Sequence, residues 1–401
     1  MNKLNILIEE LCPNGVEYKK VKDTFKRTKG TPITAAKMKQ IATPNGSIRI
    51  FAGGKTVIDA NEEDIPNANI TRVPAVLVQS RGVIDVVYYD KPFTFKNEMW
   101  AYTADDPIKV KFLYYVLKNN IQKFRDDAAG MGALPQISLP VTEEFIMPVP
   151  PLPVQREIVR VLDNFTELTA ELTAELTARK KQYEYYRDTL LTFGVHRGGT
   201  FETRWKTLGE VCGLQAGKAI PAIEISPVQT KEYSVPCYGG NGLRGYVKTA
   251  NQQGDKPLVG RQGALCGNVC YATGSYYATE HAVIVSDKGF FNSRFLYHAL
   301  VHANLNQYKT AGAQPGLSVA KLEKVKIPVP EKEIQDQIAK VLDNFDTICS
   351  DLNIGLPAEI EARKKQYEYY RDMLLTFAAA DDIILTDRQT DRQTDRQTEH
   401  N

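Results

Sequence analysis

Several short patterns in the 401-residue chain have residue types that could support catalysis or metal binding, but each lacks a residue that the chemistry requires. Gly54-Lys55-Thr56 matches the end of a phosphate-binding loop. That loop needs a glycine five residues before Gly54, where Arg49 stands. His298 and His302 have the spacing of two metal ligands on one helix. Ala299 stands where a metallopeptidase carries its glutamate, and no third ligand is evident, so no metal is expected.

The cysteines and the remaining motifs also predict a chain without chemistry of its own. Six cysteines are scattered, and Cys266 and Cys270 lack a second pair, so buried thiols are expected in a reducing cytosol. We find no glycine-rich turn for a nucleotide cofactor and no Asn-Pro-Pro-aromatic or Asp-Pro-Pro-aromatic loop for amino methylation. The missing motifs predict a non-catalytic protein that binds no cofactor itself. Because there is no signal peptide and no apolar run long enough for a bilayer, we expect a cytoplasmic location.

A further pattern is a set of loops in which glycine stands beside Lys, Arg, Gln or Asn. Arg, Gln and Asn are the side chains that read base edges in DNA, and glycine lets a backbone approach a ligand. Such loops are also typical of ordinary hairpin turns, but their recurrence at matching places in two halves of the chain favours binding. The candidate DNA-binding residues are Lys55, Gln79, Arg81, Asn241, Arg244, Arg261 and Gln262.

An internal repeat defines the elements that must position these loops. Residues 178–193 return as 362–377 with one change, Met373 in place of Thr189. Shorter segments return as well: 112–114 as 295–297, 148–150 as 328–330, and 161–165 as 341–345. Each copy therefore has a long variable part followed by a nearly constant part. The variable parts mix short apolar runs with Gly and Pro, which predicts two α+β domains.

The constant parts predict long helices. Apolar residues step by four and three from Val154 to Phe193 without Gly or Pro, a coiled-coil spacing that corresponds to a helix of about 60 Å. Gly355 and Pro357 predict a break in the second copy. We expect the two helical regions to pack antiparallel on each other. The alternative is a pair of ordinary core helices.

The repeat offset changes from 180 to 184 residues inside the first helix, which predicts a spacer of variable length. Adding four residues adds about one helical turn, so such a unit can be gained or lost without disturbing the fold. The predicted spacer consists of two Thr-Ala-Glu-Leu units: Thr169, Ala170, Glu171, Leu172, Thr173, Ala174, Glu175 and Leu176.

Two variable domains that alternate with helices bearing Arg-Lys-Lys-Gln-Tyr-Glu-Tyr-Tyr-Arg-Asp resemble the specificity subunit of type I restriction-modification systems. The Thr-Ala-Glu-Leu units are similar to the spacer of the type IC branch. The resemblance implies an α+β fold with a pseudo-two-fold repeat, in which two long helices form an antiparallel coiled coil between two α/β target recognition domains. The implied parts are target recognition domain 1 (1–150), a central helix (151–195), target recognition domain 2 (196–330), a distal helical region (331–378) and a disordered tail (379–401).

The resemblance also implies partners. Each target recognition domain would bind half of a split, asymmetric target in double-stranded DNA. The helices would dock two modification subunits, which methylate adenine N6 with S-adenosylmethionine, and the complex would include restriction subunits driven by ATP and Mg²⁺. No membrane is implied. Candidate docking residues in the repeated block are Tyr183, Tyr186, Arg187, Tyr367, Tyr370 and Arg371.

Two other functions stay open at this point. One is a self-sufficient DNA methyltransferase or nuclease, against which the missing motifs argue. The other is a coiled-coil scaffold with no role on DNA. The net charge of +2 gives no overall basic field, so DNA binding requires a local cluster of Lys and Arg or shared contacts with partners.

The tail repeats Thr-Asp-Arg-Gln three times from Thr386 and predicts disorder. A DNA tract of repeated ACAG encodes this cycle in every reading frame, which suggests a gene whose tract length changes by slippage. A neutral, solvated tail is the alternative.

Overall fold

The computed structural model describes residues 2–54, 56–128, 135–192, 203–263, 265–310 and 315–377, so the predicted tail lies outside the described residues. Packing divides the chain into two compact units. The first unit comprises Met1–Glu171 and Glu361–Asn401, and the second comprises Leu172–Ile360. Both boundaries fall inside long helices, so each unit combines one variable domain with constant segments from both copies of the repeat.

The first unit is an α+β assembly. Its helices are α1 (Asn2–Leu11), α2 (Val21–Thr24), α3 (Ala35–Ile41), α4 (Pro107–Asn119), α5 (Ile121–Ala128), α6 (Leu139–Glu143) and the first part of α7 (Leu152–Leu191). Its strands are β1 (Tyr18–Lys20), β2 (Lys26–Thr28), β3 (Ile48–Phe51), β4 (Val57–Ala60), β5 (Ala75–Gln79), β6 (Asp85–Tyr89), β7 (Phe93–Phe95), β8 (Trp100–Thr103) and β9 (Ile146–Pro148).

The sheets of the first unit follow from its apolar runs. Every residue of β5 is buried, as expected for a continuous apolar strand inside a sheet. That strand lies between β8 and β6 in the antiparallel order β2-β8-β5-β6. A second sheet has the order β4-β3-β7, and β1 pairs with β9. Helix α4 packs on the first sheet; it begins after Asp106, whose carboxylate caps the helix by accepting from the backbone N–H of Ile108.

The second unit repeats this order. Its helices are α8 (Leu208–Val211), α9 (Ser293–His302), α10 (Val319–Leu322) and α11 (Lys332–Ser350), with the second part of α7. Its strands are β10 (Arg204–Thr207), β11 (Cys212–Ala216), β12 (Val235–Gly239), β13 (Gly242–Val247), β14 (Gln252–Gln253), β15 (Lys256–Gly260), β16 (Val269–Ala272), β17 (Ser275–Ala278), β18 (Ala282–Asp287) and β19 (Lys326–Val329).

The two units therefore share one topology. Sheet β11-β18-β15-β16 matches β2-β8-β5-β6, and sheet β13-β12-β17-β14 matches β4-β3-β7 with one strand added. The short 3-10 helices differ more: one spans Glu62–Asp64 in the first unit, and two span Ala222–Glu224 and Leu305–Tyr308 in the second. The predicted α+β fold with an internal repeat is confirmed.

The predicted long helices are also confirmed. Helix α7 covers forty residues, and the second copy is broken into α11 and α12 (Leu356–Thr376). The close approach of backbone at this break requires glycine at position 355. A Cβ there would lie 2.6 Å from the carbonyl oxygen of Thr347, and Pro357 follows at the second position of α12. None of the described helices is long and apolar enough to cross a membrane.

Each unit pairs the constant segment of one copy with the repeated block of the other. In the first unit, Phe165 stacks on Tyr370 with ring centroids 5.5 Å apart. In the second unit, Phe345 stacks on Tyr186 at 5.4 Å. Because Phe165 corresponds to Phe345 and Tyr370 to Tyr186, the same contact is made twice with the two copies exchanged.

The helical segments in the first unit run antiparallel, as expected. The hydroxyl of Tyr18 donates to the carbonyl oxygen of Thr376 at 3.0 Å, and Tyr18 pairs with Pro148 in the β1–β9 ladder. The end of α12 therefore lies near the start of α7, while Tyr370 lies further along α7 at Phe165. A core shared with α4 buries these segments.

Candidate nucleic-acid interface

A groove of about 650 Å³ in the second unit brings together three of the residues predicted from the glycine loops. Asn241 and Arg244 come from the turn between β12 and β13 and from β13 itself, and Gln262 comes from the loop after β15. Leu243 and Leu265 also line the groove and are more than half exposed, at 53% and 57%. Exposed polar and apolar side chains thus line one concave surface.

Glycine allows these two loops to meet. A Cβ on Gly260 would lie 1.8 Å from the carbonyl oxygen of Gly240, and a Cβ on Gly240 would lie 3.0 Å from that of Gln262. We expected glycine in these loops to admit a ligand. At these two positions its role is instead the close approach of one backbone to another.

The groove side chains are held by local contacts. Asn268 donates its side-chain N–H to Oδ1 of Asn241 at 3.2 Å. Nε2 of His281 lies 3.1 Å from Oε1 of Glu280. Nδ1 of His281 and Nε of Arg261 are buried and have no hydrogen-bond partner among the described atoms. Because both atoms are buried, neither is available to a ligand in this conformation.

The first unit has the same arrangement of loops. The backbone N–H of Gly54 donates to the carbonyl oxygen of Arg81 at 3.3 Å, which parallels the approach of Gly240 to Gln262. The loops after β5 and β15 also make matching bonds: Gly82 donates to Pro135 at 2.8 Å, and Gly263 donates to Pro315 at 3.1 Å. The recurrence predicted from sequence is therefore present in three dimensions.

The remaining candidate DNA-binding residues differ in how accessible their side chains are. Arg81 is exposed and Arg261 is half-buried, so both can present charge at the loop surfaces. Gln79 is only 6% exposed on the central strand β5, and in this conformation its side chain cannot reach a base. Lys55 lies outside the described residues.

Sequence reasoning missed three residues of the groove. Leu243 had a readable signal, because a large apolar residue between Gly242 and Arg244 is unusual in a polar turn. Leu265 and His281 carried no comparable signal, since only the folded loops bring them to the groove.

The repeated block presents an inner and an outer face. Tyr186 and Tyr370 stack on the constant helices as described, with Tyr186 still 38% exposed, and Tyr183 and Tyr367 pack against the cores of their units. The Arg187 guanidinium lies 5.7 Å from the Tyr183 ring centroid, and that of Arg371 lies 5.6 Å from the Tyr367 centroid. The predicted docking tyrosines therefore contact their own chain.

Besides the partly exposed Tyr186, the outer face of the block carries two tyrosines that sequence reasoning did not select. Tyr185 is 66% exposed and Tyr369, its counterpart, is 46% exposed. Their distinguishing signal was present in the sequence, because Tyr185 lies off the apolar seam that contains Tyr183 and Tyr186.

The predicted spacer lies on α7, and the boundary between the two units falls inside it, between Glu171 and Leu172. Leu172 is buried, with 9% exposure, while most of the other spacer side chains are exposed or half-buried.

The two spaced histidines have separate carboxylate partners. Nε2 of His298 lies 2.7 Å from Oδ1 of Asp343, and Nδ1 of His302 lies 3.1 Å from Oδ1 of Asp188. Within the described ranges, no group of three or more His, Cys, Asp or Glu side chains could hold a metal ion. Burial raises the pKa of the Cys270 thiol to about 11, so this thiol is a weak nucleophile at neutral pH.

Comparison with known families decides the assignment. The family model described as the type I restriction modification DNA specificity domain matches residues 13–179 and again 202–362. The chain belongs to this specificity family. Its two matches correspond to the two halves of the repeat, and the specificity family accounts for a chain whose sheets occur twice in the same order.

Named relatives agree. The specificity subunit of the Escherichia coli type I restriction enzyme EcoprrI is 45% identical over 258 residues, which are 62% of this chain and 63% of that relative. The Escherichia coli EcoR124I/EcoR124II specificity subunit is 32% identical over 330 residues, covering 70% of this chain and 74% of the relative. The first of these matches thus spans less than two thirds of the relative's length.

Solved structures match the fold. The S subunit of a type I restriction-modification system from M. genitalium superposes with a TM-score of 0.68 at 18% identity, covering 91% of this chain and 98% of that one. The chain therefore shares its fold with this S subunit over most of its length.

Proposed function

We propose that this specificity subunit reads a bipartite, asymmetric target in double-stranded DNA, with one half-site for each unit. The observation that carries the proposal is the pair of matching loop clusters, which recur on the same topology although the residues in them differ. Two domains that bind two different half-sites need loops at equivalent positions that carry different side chains.

The groove of the second unit has the chemistry of base reading. Arginine pairs with guanine O6 and N7, Asn and Gln pair with adenine N6 and N7, and an apolar side chain contacts the thymine methyl group. Arg244, Gln262 and Leu243 supply these three types of contact. We assign Arg244 to a guanine and Gln262 to an adenine of the second half-site, while Arg81 and Arg261 contribute charge toward the backbone.

The chain itself contributes recognition and assembly. We propose that the repeated block docks two modification subunits, which supply adenine N6 methylation with S-adenosylmethionine, and that restriction subunits add activity dependent on ATP and Mg²⁺. One related structure concerns complex assembly of the type I restriction-modification system. The outer face at Tyr185 and Tyr369 joins the predicted docking residues in this proposal. All six cysteine thiols are free, which suits a cytoplasmic complex.

The test is methylation-aware sequencing of host DNA with the gene present, deleted and substituted. Deletion is expected to remove methylation at one bipartite motif. Arg244→Ala is expected to relax a single guanine position in one half-site, with a loss of discrimination of about 1–3 kcal/mol. Lys248→Ala is the matched control, since it removes a neighbouring cation that is paired with Glu232 at 2.5 Å.

The outcomes separate the competing functions. An unchanged motif in Arg244→Ala, with the control also unchanged, removes Arg244 from the reading surface. Methylation of a motif by the isolated chain with S-adenosylmethionine indicates a self-sufficient methyltransferase. If the assembled complex does not retain specific duplex DNA, the chain is a scaffold without a role on DNA.

A further inference from the structure

One aspartate joins the variable domain of the first unit to its constant helix. Asp163 lies on α7, and its Oδ2 is 2.8 Å from Nζ of Lys111 on α4. The hydroxyl of Tyr115, one turn further along α4, donates to Oδ1 of the same carboxylate. Nζ of Lys111 also lies 5.3 Å from the ring centroid of Tyr88 on β6. The carboxylate thus connects the sheet, α4 and the constant helix.

The second unit builds the same connection from different residues. Oδ1 of Asp343 on α11 is 2.7 Å from Nη2 of Arg294 and 2.7 Å from Nε2 of His298, both on α9. The guanidinium of Arg294 lies 4.4 Å from the ring centroid of Tyr271 on β16. Nδ1 of the buried His298 is 3.3 Å from the hydroxyl of Tyr183.

These two sets occupy equivalent positions. Asp163 corresponds to Asp343 in the repeated segment 161–165 and 341–345. Lys111 precedes the repeated Phe-Leu-Tyr of α4 just as Arg294 precedes that of α9, and Tyr115 follows it as His298 does. We call each set an aspartate clamp: Asp163, Lys111, Tyr115 and Tyr88 in the first unit, and Asp343, Arg294, His298 and Tyr271 in the second.

The clamps add direction to an interface that is otherwise apolar. Val154, Ile158 and Leu162 of α7 share one buried core with α4, but the hydrophobic effect that drives this contact is non-directional. Charge-assisted hydrogen bonds do have one, because a carboxylate accepts along defined directions. A cation placed between the carboxylate and a sheet tyrosine therefore limits rotation of the domain on its helix.

We propose that Asp163 and Asp343 are positioning residues that hold each target recognition domain at one angle on its constant helix and so restrict the complex to one spacer length. This inference rests on the proposed function. One base pair corresponds to about 3.4 Å and about 35°, so a domain that rocks by part of a helical turn would accept targets one base pair longer or shorter.

The experiment uses the complete chain assembled with its modification subunits. Asp163→Ala and Asp343→Ala are compared with wild type by sequencing methylated sites and measuring the distribution of spacer lengths. We expect the share of sites whose spacer differs by one base pair to rise about tenfold, with both half-site motifs unchanged. Glu333→Ala, an exposed charge on the same helix as Asp343, is the control and should keep one spacer length.

A purely structural role would lower the melting temperature without broadening the spacer distribution, and that result overturns the inference. If an alanine variant fails to fold, Asp343→Asn serves instead, because it keeps the shape and one acceptor oxygen while it loses the charge and replaces the other oxygen with an NH₂ donor. A single spacer length in that folded variant also overturns the inference. Absence of any bipartite methylation by the wild-type complex contradicts the proposed function itself.

Discussion

Insertion of one further Thr-Ala-Glu-Leu unit after Leu176 is expected to lengthen the unspecified DNA spacer by one base pair. The insertion lies in α7 beside the boundary between the two units, at Glu171 and Leu172, so the contacts inside each unit are expected to survive. Four helical residues add about 6 Å along the axis and a rotation of about 40° beyond a full turn.

The choice between one and two base pairs depends on rotation. One added base pair leaves a mismatch of about 2.6 Å and 5°, whereas two leave about 0.8 Å and 30°. A rotation of 30° is most of one base-pair step and would turn the base edges away from the side chains that read them. An axial mismatch below one base-pair rise is easier to absorb by a slight tilt of the DNA, so one base pair is expected.

The assay is methylation-site mapping of three variants in the same host. The variant with one unit more should methylate targets with a spacer longer by one base pair, and the variant lacking 173–176 should methylate targets shorter by one. Thr173→Ala, which keeps the length of α7, should leave the spacer unchanged. An unchanged spacer in both length variants refutes the reasoning. A change of two base pairs per unit shows that the axial length of the insertion, rather than its rotation, sets the spacer length.

Three further predictions concern stability. Gly260→Ala forces a Cβ against the backbone of Gly240 and should lower the free energy of unfolding by about 2–3 kcal/mol in denaturant titrations. Gly213→Ala is the control, because its Cβ would meet the backbone oxygen and the Cβ of Ser286 only at 3.8 and 3.9 Å, and it should change that free energy by less than about 0.5 kcal/mol. Phe345→Ala removes a half-buried ring from its stack and should cost about 2 kcal/mol by the same assay, with an unchanged midpoint contradicting the packing. Burial alone would raise the pKa of Asp343, but hydrogen bonds from His298 and Arg294 lower it. The stability it contributes is therefore full above about pH 5 and lost as pH falls through its folded pKa, so wild type and Asp343→Asn should converge in acid unfolding.

The elements of the fold were predictable because their signals are local. The four-and-three spacing from Val154 predicted α7 to within two residues of its ends, and Gly355 with Pro357 predicted the break. Buried strands such as β5 were readable from continuous apolar runs.

Contacts between distant segments were less predictable. Nothing in the spacing around Lys111 or His298 indicates that both meet an aspartate of the constant helix, because the two clamps use different donors. The same limit applies to Gly260, whose need for glycine arises only where two loops touch. In the candidate site, residue types indicated the loops, but not that Gln79 points into the protein.

Reciprocal packing explains part of the near-identity of the repeated blocks. Tyr186 of the first block packs on Phe345 of the second copy, and Tyr370 of the second block packs on Phe165 of the first. Each block must therefore fit a surface supplied by the other copy. Both of these surfaces contain the sequence Val-Leu-Asp-Asn-Phe. A substitution in only one of the two blocks would therefore make its packing differ from that of the other block.

Packing explains the outer face only in part: Tyr185 and Tyr369 meet the neighbouring Tyr186 and Tyr370 edge to face, with ring centroids 5.5 and 5.4 Å apart. Tyr185 and Tyr369 are exposed, so the fold of each unit tolerates other residues at these positions. Under the proposed function, a constraint from outside the chain that acts equally on both units would keep these two tyrosines identical. DNA does not supply it, since two different half-sites demand different surfaces. Two copies of the proposed modification subunit would supply it, and the outer face of the block is therefore where we expect docking of those subunits.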